Sequence, residues 1–66
     1  MTEHYPVQSI LLTDLNDSKV IIMTRCITYI EDAKLDNREG SKVYLNTNEI
    51  YSVKESVLAI NDMLNS

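Results

Sequence analysis

At 66 residues, 44% of them hydrophobic, the chain makes one domain near the lower limit for a single core. A polypeptide this short buries only about 60% of the surface its unfolded form exposes. One cysteine, Cys26, and one histidine, His4, exclude an intrachain disulfide and the three or four ligands of a zinc site, so self-association is the expected extra source of stability. The net charge of −4, with the Lys and Arg residues scattered, repels phosphate backbones on average and argues against nucleic acid as a partner.

Residues 1–8 carry Glu3, His4, Tyr5 and the only proline, Pro6, ahead of any sustained apolar pattern. They are predicted as a loosely held arm, with residues 9–66 as the domain. No charged n-region leads into an apolar h-region, and no apolar run approaches the roughly 18 residues a bilayer crossing needs. The expectation is a cytoplasmic protein with no membrane insertion, in which Cys26 stays reduced.

In residues 9–15 the run Ile10-Leu11-Leu12-Thr13 is apolar on consecutive positions, which predicts a strand covered on both faces. Asn16-Asp17-Ser18 is a turn by composition, and the β-branched run Lys19-Val20-Ile21-Ile22-Met23 completes a hairpin. Thr24-Arg25-Cys26 is a short break before a third strand at 27–33. Residues 34–40 are polar and predict a loop, with the single glycine, Gly40, in its turn position. A fourth strand at 41–46 and a fifth at 49–52 flank the turn-prone Thr47-Asn48.

Ser52 with Glu55 three residues later spells a capping box, so a helix is predicted over 53–64. At 100° per residue, Val53, Val57, Ile60 and Leu64 fall in one stripe, with Met63 at its margin, and this stripe is expected to pack on the sheet. The fold class read from these elements is α+β: a small twisted antiparallel sheet of four to five strands with one C-terminal helix packed on it. The expected core combines Ile10, Leu12, Val20, Ile22, Ile27, Ile30, Val43, Leu45, Val57, Ile60 and Leu64.

More apolar surface remains than one helix and one sheet consume. Leu58 points well over 90° from the helix stripe, and both faces of the first hairpin are apolar. The sheet either curls into a partial barrel around its own side chains or is covered by another copy. On the second reading Leu11, Ile21, Met23 and Leu58 are the candidate interface residues.

No constellation points to chemistry. A Cys-His pair needs the base within hydrogen-bond reach and a third group to orient it, and neither a glycine-rich loop nor an oxyanion motif stands beside Cys26. Glu31, Asp32, Asp36 and Glu39 cluster in sequence, but no calcium-loop spacing is present and Lys34 and Arg38 interleave with them. Of the four tyrosines, Tyr29, Tyr44 and Tyr51 fall on predicted strands, with Glu31 and Asp32 close after Tyr29 and Glu49 before Tyr51, which favours cross-strand packing over stacking on bases. No catalytic, cofactor-binding or metal-binding residue is assigned, no cofactor is expected, and the expected function is a non-enzymatic protein-protein interaction or regulatory role.

Two family resemblances cover most of residues 10–64. Leu12-Thr13-Asp14-Leu15-Asn16-Asp17, Ile27-Thr28-Tyr29-Ile30-Glu31 and Val53-Lys54-Glu55-Ser56-Val57-Leu58-Ala59-Ile60 resemble, in order and approximate spacing, the small flagellar FlbD/SwrD-like proteins. Asp17 stands where that family tends to have Gly, and residues 34–40 form a longer, more charged segment. The resemblance implies a small β-rich, non-enzymatic protein of bacterial or phage origin. A second resemblance, through Ile27-Thr28-Tyr29-Ile30-Glu31, residues 44–51 and the helix entry at Val53, is to the first part of LytTR-type DNA-binding domains. That implies a DNA-binding or transcription-regulatory module as the alternative. The basic segment that follows the helix in those domains has no counterpart in these 66 residues, so base reading would lack its main contacts.

Overall fold

The computed structural model describes residues 7–35 and 37–66 and shows an α+β fold. In chain order the elements are β1 (Ser9–Thr13), β2 (Lys19–Met23), a 3-10 turn (Thr24–Cys26), β3 (Ile27–Leu35), β4 (Arg38–Leu45), β5 (Ile50–Val53) and α1 (Val57–Leu64). The five strands divide between a β1-β2 ribbon and a three-stranded antiparallel sheet of order β3-β4-β5, rather than forming one sheet.

Each hairpin reverses on a short polar residue in the left-handed region, where Asp and Asn are tolerated because their side chains bond locally. Between β1 and β2, Asp17 has φ 65°; the Asp14 N–H donates to the Ser18 carbonyl at 2.9 Å, and the Asp17 N–H to the Asp14 carbonyl at 3.1 Å. The Asp14 carboxylate also accepts from the Asn16 and Ser18 N–H groups. Asn48, φ 72°, closes the β4-β5 turn with the same pair of bonds, Leu45 N–H to Glu49 carbonyl and Asn48 N–H to Leu45 carbonyl. Both are three-residue loops of a turn followed by a left-handed residue, the commonest hairpin solution after the two-residue turn.

The β3-β4 connection corrects the predicted 34–40 loop. The ladder continues through Lys34↔Glu39 and Leu35↔Arg38, and Asn37, φ 63°, takes the left-handed position. Gly40 is therefore not at a turn: it is buried within β4, opposite Ala33, and its φ is not positive. Lys34, Asn37, Arg38 and Glu39 are exposed, a setting in which hydrophobic alternation gives no strand signal.

The helix also begins later than the capping box suggests. Val53 lies at the end of β5, paired with Ser41, bridged to Asp14 and fully buried. The N-cap is Ser56, whose hydroxyl accepts from the Ala59 N–H at 3.1 Å. Ser52 stays in the strand, and tertiary pairing overrides a local capping signal that isolated-helix statistics favour.

Ile10, Leu12, Ile22, Val43, Val53, Ile60 and Leu64 form the buried core, with Val20, Ile27, Ile30, Leu45, Tyr51 and Met63 packed around it. Val53 joins as a strand residue, whereas Val57, expected in the core, is only half-buried. The β1-β2 ribbon is not covered on both faces: Ile10, Leu12 and Ile22 turn inward, and their neighbours turn out. Of the predicted arm, residues 1–6 lie outside the described residues. Val7 and Gln8 are held, because the Val7 carbonyl accepts from the Thr24 hydroxyl and the Gln8 carbonyl from the Thr24 N–H.

A hydrogen-bonded joint links the two sheets. Thr13 accepts through its carbonyl from the Lys54 N–H at 2.8 Å, while its own N–H and hydroxyl both donate to the Glu55 carboxylate at 2.9 Å. Lys19 Nζ also donates to the Thr13 hydroxyl, and the buried Ser41 hydroxyl donates to the Glu55 carbonyl at 2.7 Å. Lys54 forms an ion pair with Asp17 in the β1-β2 turn. Contact with that ammonium, first through the hydrogen bond and then through its charge, holds the Asp17 carboxyl below its usual range. Glu55 thus serves as a clamp between sheets, not as the second half of a helix cap.

Candidate interaction surface

In the β1-β2 register Leu11 lies opposite Ile21, and Ser9 opposite Met23. Because side chains alternate along a strand, Leu11, Ile21 and Met23 share the face turned away from the core. They are 52%, 70% and 40% exposed, respectively. At the Thr13↔Lys19 end the same face becomes polar, so the apolar area is bounded by the hydroxyl and ammonium that belong to the sheet joint. Three of the four residues singled out from sequence are thereby brought together.

Leu58, the fourth, is 76% exposed but sits on α1 apart from that face. It borders an open cleft of about 500 Å³ lined also by Asp32, Lys34, Glu39, Ser56 and Val57. Lys34 stands beside the two acids there, and among the described residues no group of three or more His, Cys, Asp or Glu side chains is arranged to hold a metal ion.

The outer face of the three-stranded sheet carries a different feature. Tyr29 and Tyr44 are cross-strand partners whose rings stack with centroids 4.3 Å apart and planes 10° from parallel. The Tyr44 hydroxyl donates to the Glu31 carboxylate at 2.7 Å. That bond, with partial desolvation and the carboxylate charge, raises the Tyr44 phenol to about 12, because ionising it would place two anions together. The tyrosines are engaged with each other and with an acid, as cross-strand packing predicts. Tyr51, by contrast, turns inward and packs against the core.

Two exposed apolar residues escaped sequence reasoning. Ile50 is exposed at the start of β5 on the outer face shared with Tyr44, and Leu15 is exposed in the β1-β2 turn. The alternation Ile50-Tyr51 carries the signal for the first, since an inward Tyr51 requires an outward Ile50. Cys26 is half-buried at the end of the 3-10 turn. His4 and Tyr5 lie outside the described residues.

Among the described residues no helix is long and apolar enough to cross a membrane. No family model matches the chain, and neither the curated proteins nor the solved structures give a significant match.

Proposed function

We propose that the protein acts by binding protein, itself included, as a small non-enzymatic interaction or regulatory module. The observation that carries this reading is the outward row of Leu11, Ile21 and Met23 on the β1-β2 ribbon. Contiguous exposed apolar residues on a domain this small cost solvation free energy that a covering surface recovers, and such patches rimmed by polar groups mark interaction sites. The absence of an intrachain disulfide adds to the motive, since the small core of buried apolar residues among the described ones gains from a second layer.

The resemblance to FlbD/SwrD-like proteins fits this reading. The residues that carry it include Thr13, Lys54, Glu55 and Ser56, which meet at the sheet joint and the helix entry. A match on these positions is a match of fold, and it leaves the exposed face to set the partner. Sedimentation velocity or light scattering across a concentration series tests the proposal. The expected result is a species heavier than one 7.6 kDa chain at micromolar concentration. A strictly single-chain mass at high micromolar concentration overturns the self-association.

A further inference from the structure

We propose that two copies of the chain join edge to edge through β2, antiparallel, about a two-fold axis at Ile21. The inference rests on the self-association proposed above and specifies where it occurs.

The argument starts from which backbone groups β2 has left over. In an antiparallel pair, successive residues alternately direct both main-chain polar groups at the partner and away from it. The phase is set at both ends of the ribbon, by Asp14 N–H to the Ser18 carbonyl and by Thr24 N–H to the Gln8 carbonyl. Val20 and Ile22 therefore face β1, while Lys19, Ile21 and Met23 direct their N–H and C=O groups to the opposite edge. The phase is confirmed on β1, where Thr13, opposite Lys19, directs its N–H and carbonyl outward to Glu55 and Lys54. Among the described residues no strand pairs with that edge of β2.

The space beside the edge has the character of a strand site. A groove of about 240 Å³ runs there, lined by Val20, Met23, Cys26, Leu45 and Tyr51 and, as its polar part, by Thr47 and Glu49. Exposed edges in natural proteins are usually blunted by very short strands, by charged side chains, above all lysine, or by proline, a bulge or inward-pointing charge. Here the edge residues are Lys19, Ile21 and Met23, with one charge at its end.

The second copy is the occupant that the residues of β2 themselves specify. A two-fold axis at Ile21 sets Ile21 against Ile21 of the second copy and Lys19 against Met23 of the second copy. Every outward-directed residue then meets another, giving about six main-chain hydrogen bonds. Val20 and Ile22 oppose each other, so apolar meets apolar on the inner face as well. The two lysines lie four residues apart along the joined strands, about 13 Å, and escape direct repulsion. The outward rows of Leu11 and Ile21 from both copies merge into one apolar face across the joint.

Cysteine cross-linking in a Cys26→Ser background tests the register. Hydrogen-bonded antiparallel pairs place Cα atoms about 5.5 Å apart, inside the span a disulfide bridges. Under mild oxidation I21C is expected to become a covalent dimer on its own. K19C and M23C are expected to cross-link when mixed, and K19C alone to remain single-chain. Ile21→Asp, on an outward side chain, is expected to retain its circular dichroism spectrum and a cooperative melt whose midpoint no longer rises with concentration, while its mass falls to one chain. A wild type that is a dimer while I21C fails to cross-link, or while Ile21→Asp stays dimeric, overturns the β2 joint and leaves self-association standing. A wild type of single-chain mass overturns both.

Discussion

Replacing Glu55 with Ala removes the acceptor for two hydrogen bonds at once, the Thr13 N–H and the Thr13 hydroxyl, both 2.9 Å long. Bonds to a charged acceptor contribute roughly 1.5–3 kcal/mol each when desolvated, but this carboxylate is half-exposed and water replaces part of what is lost. A net cost of about 2 kcal/mol follows, in a domain whose whole stability is about 3–10 kcal/mol for its length. For a chain of this size the melting temperature should fall by roughly 8–16 °C. Glu55→Gln keeps one acceptor oxygen and should lose about half as much. Urea melts of Glu55→Gln, Thr13→Val and the double variant form a cycle whose coupling is expected near 1 kcal/mol. The same cycle with Ser52→Ala should show no coupling, because Ser52 stays in β5 and the N-cap is Ser56. Additivity of Thr13 and Glu55 within about 0.5 kcal/mol, or coupling of Glu55 to Ser52 instead, would refute the clamp between sheets.

Three further outcomes are expected. Ile60→Ala should cost about 2–5 kcal/mol in a thermal or urea melt, since the side chain is fully buried between helix and sheets, and an unperturbed variant would place α1 in another phase. Asn48→Val should lose about 1–2 kcal/mol, because a β-branched residue resists φ 72°, whereas Asn48→Gly should be neutral or mildly stabilising; equal melts for the two would contradict the left-handed turn. Tyr44 should ionise near 12 in an ultraviolet titration, and Glu31→Gln should lower that value. The folded-state value lies above the ordinary 10.0, so the stabilisation is complete below pH 10 and disappears as pH rises toward 12. A Tyr44 that titrates at the ordinary 10.0 would show that the bond to Glu31 does not persist in solution.

Much of the fold was legible because local chemistry and tertiary demand agree along most of the chain. Asn16-Asp17-Ser18 and Thr47-Asn48 turn where short polar residues tolerate positive φ, and the β-branched run of β2 forms the strand it favours. The outward placement of Leu11, Ile21, Met23 and Leu58 followed from having more apolar residues than one helix and one sheet cover. The misplaced features share a cause. Gly40, the polar 34–40 segment and the Ser52-Glu55 pair each carry a strong local signal, and each is overruled by strand pairing or its joints, the first two within the β3-β4 hairpin and the third by β4 and Thr13. Gly40 entered β4 because the ladder from Ile30↔Val43 continues outward along the hairpin.

By itself the sequence determined the elements that depend on neighbours a few residues away: the turns, the strand runs, the α+β class and the helical stripe of Ile60 and Leu64. Only the tertiary structure decided what Thr13, Val53 and Glu55 do, because Thr13 meets Glu55, and Asp14 meets Val53, from about forty residues off along the chain. Val53 is a strand residue because Ser41 and Asp14 flank it, and Glu55 is a clamp because Thr13 is within reach. No periodicity or capping rule encodes such meetings, since the contacts exist only once the chain has closed on itself. The same closure leaves one edge of β2 unpaired among the described residues, the edge at which the proposed second copy would add its strand.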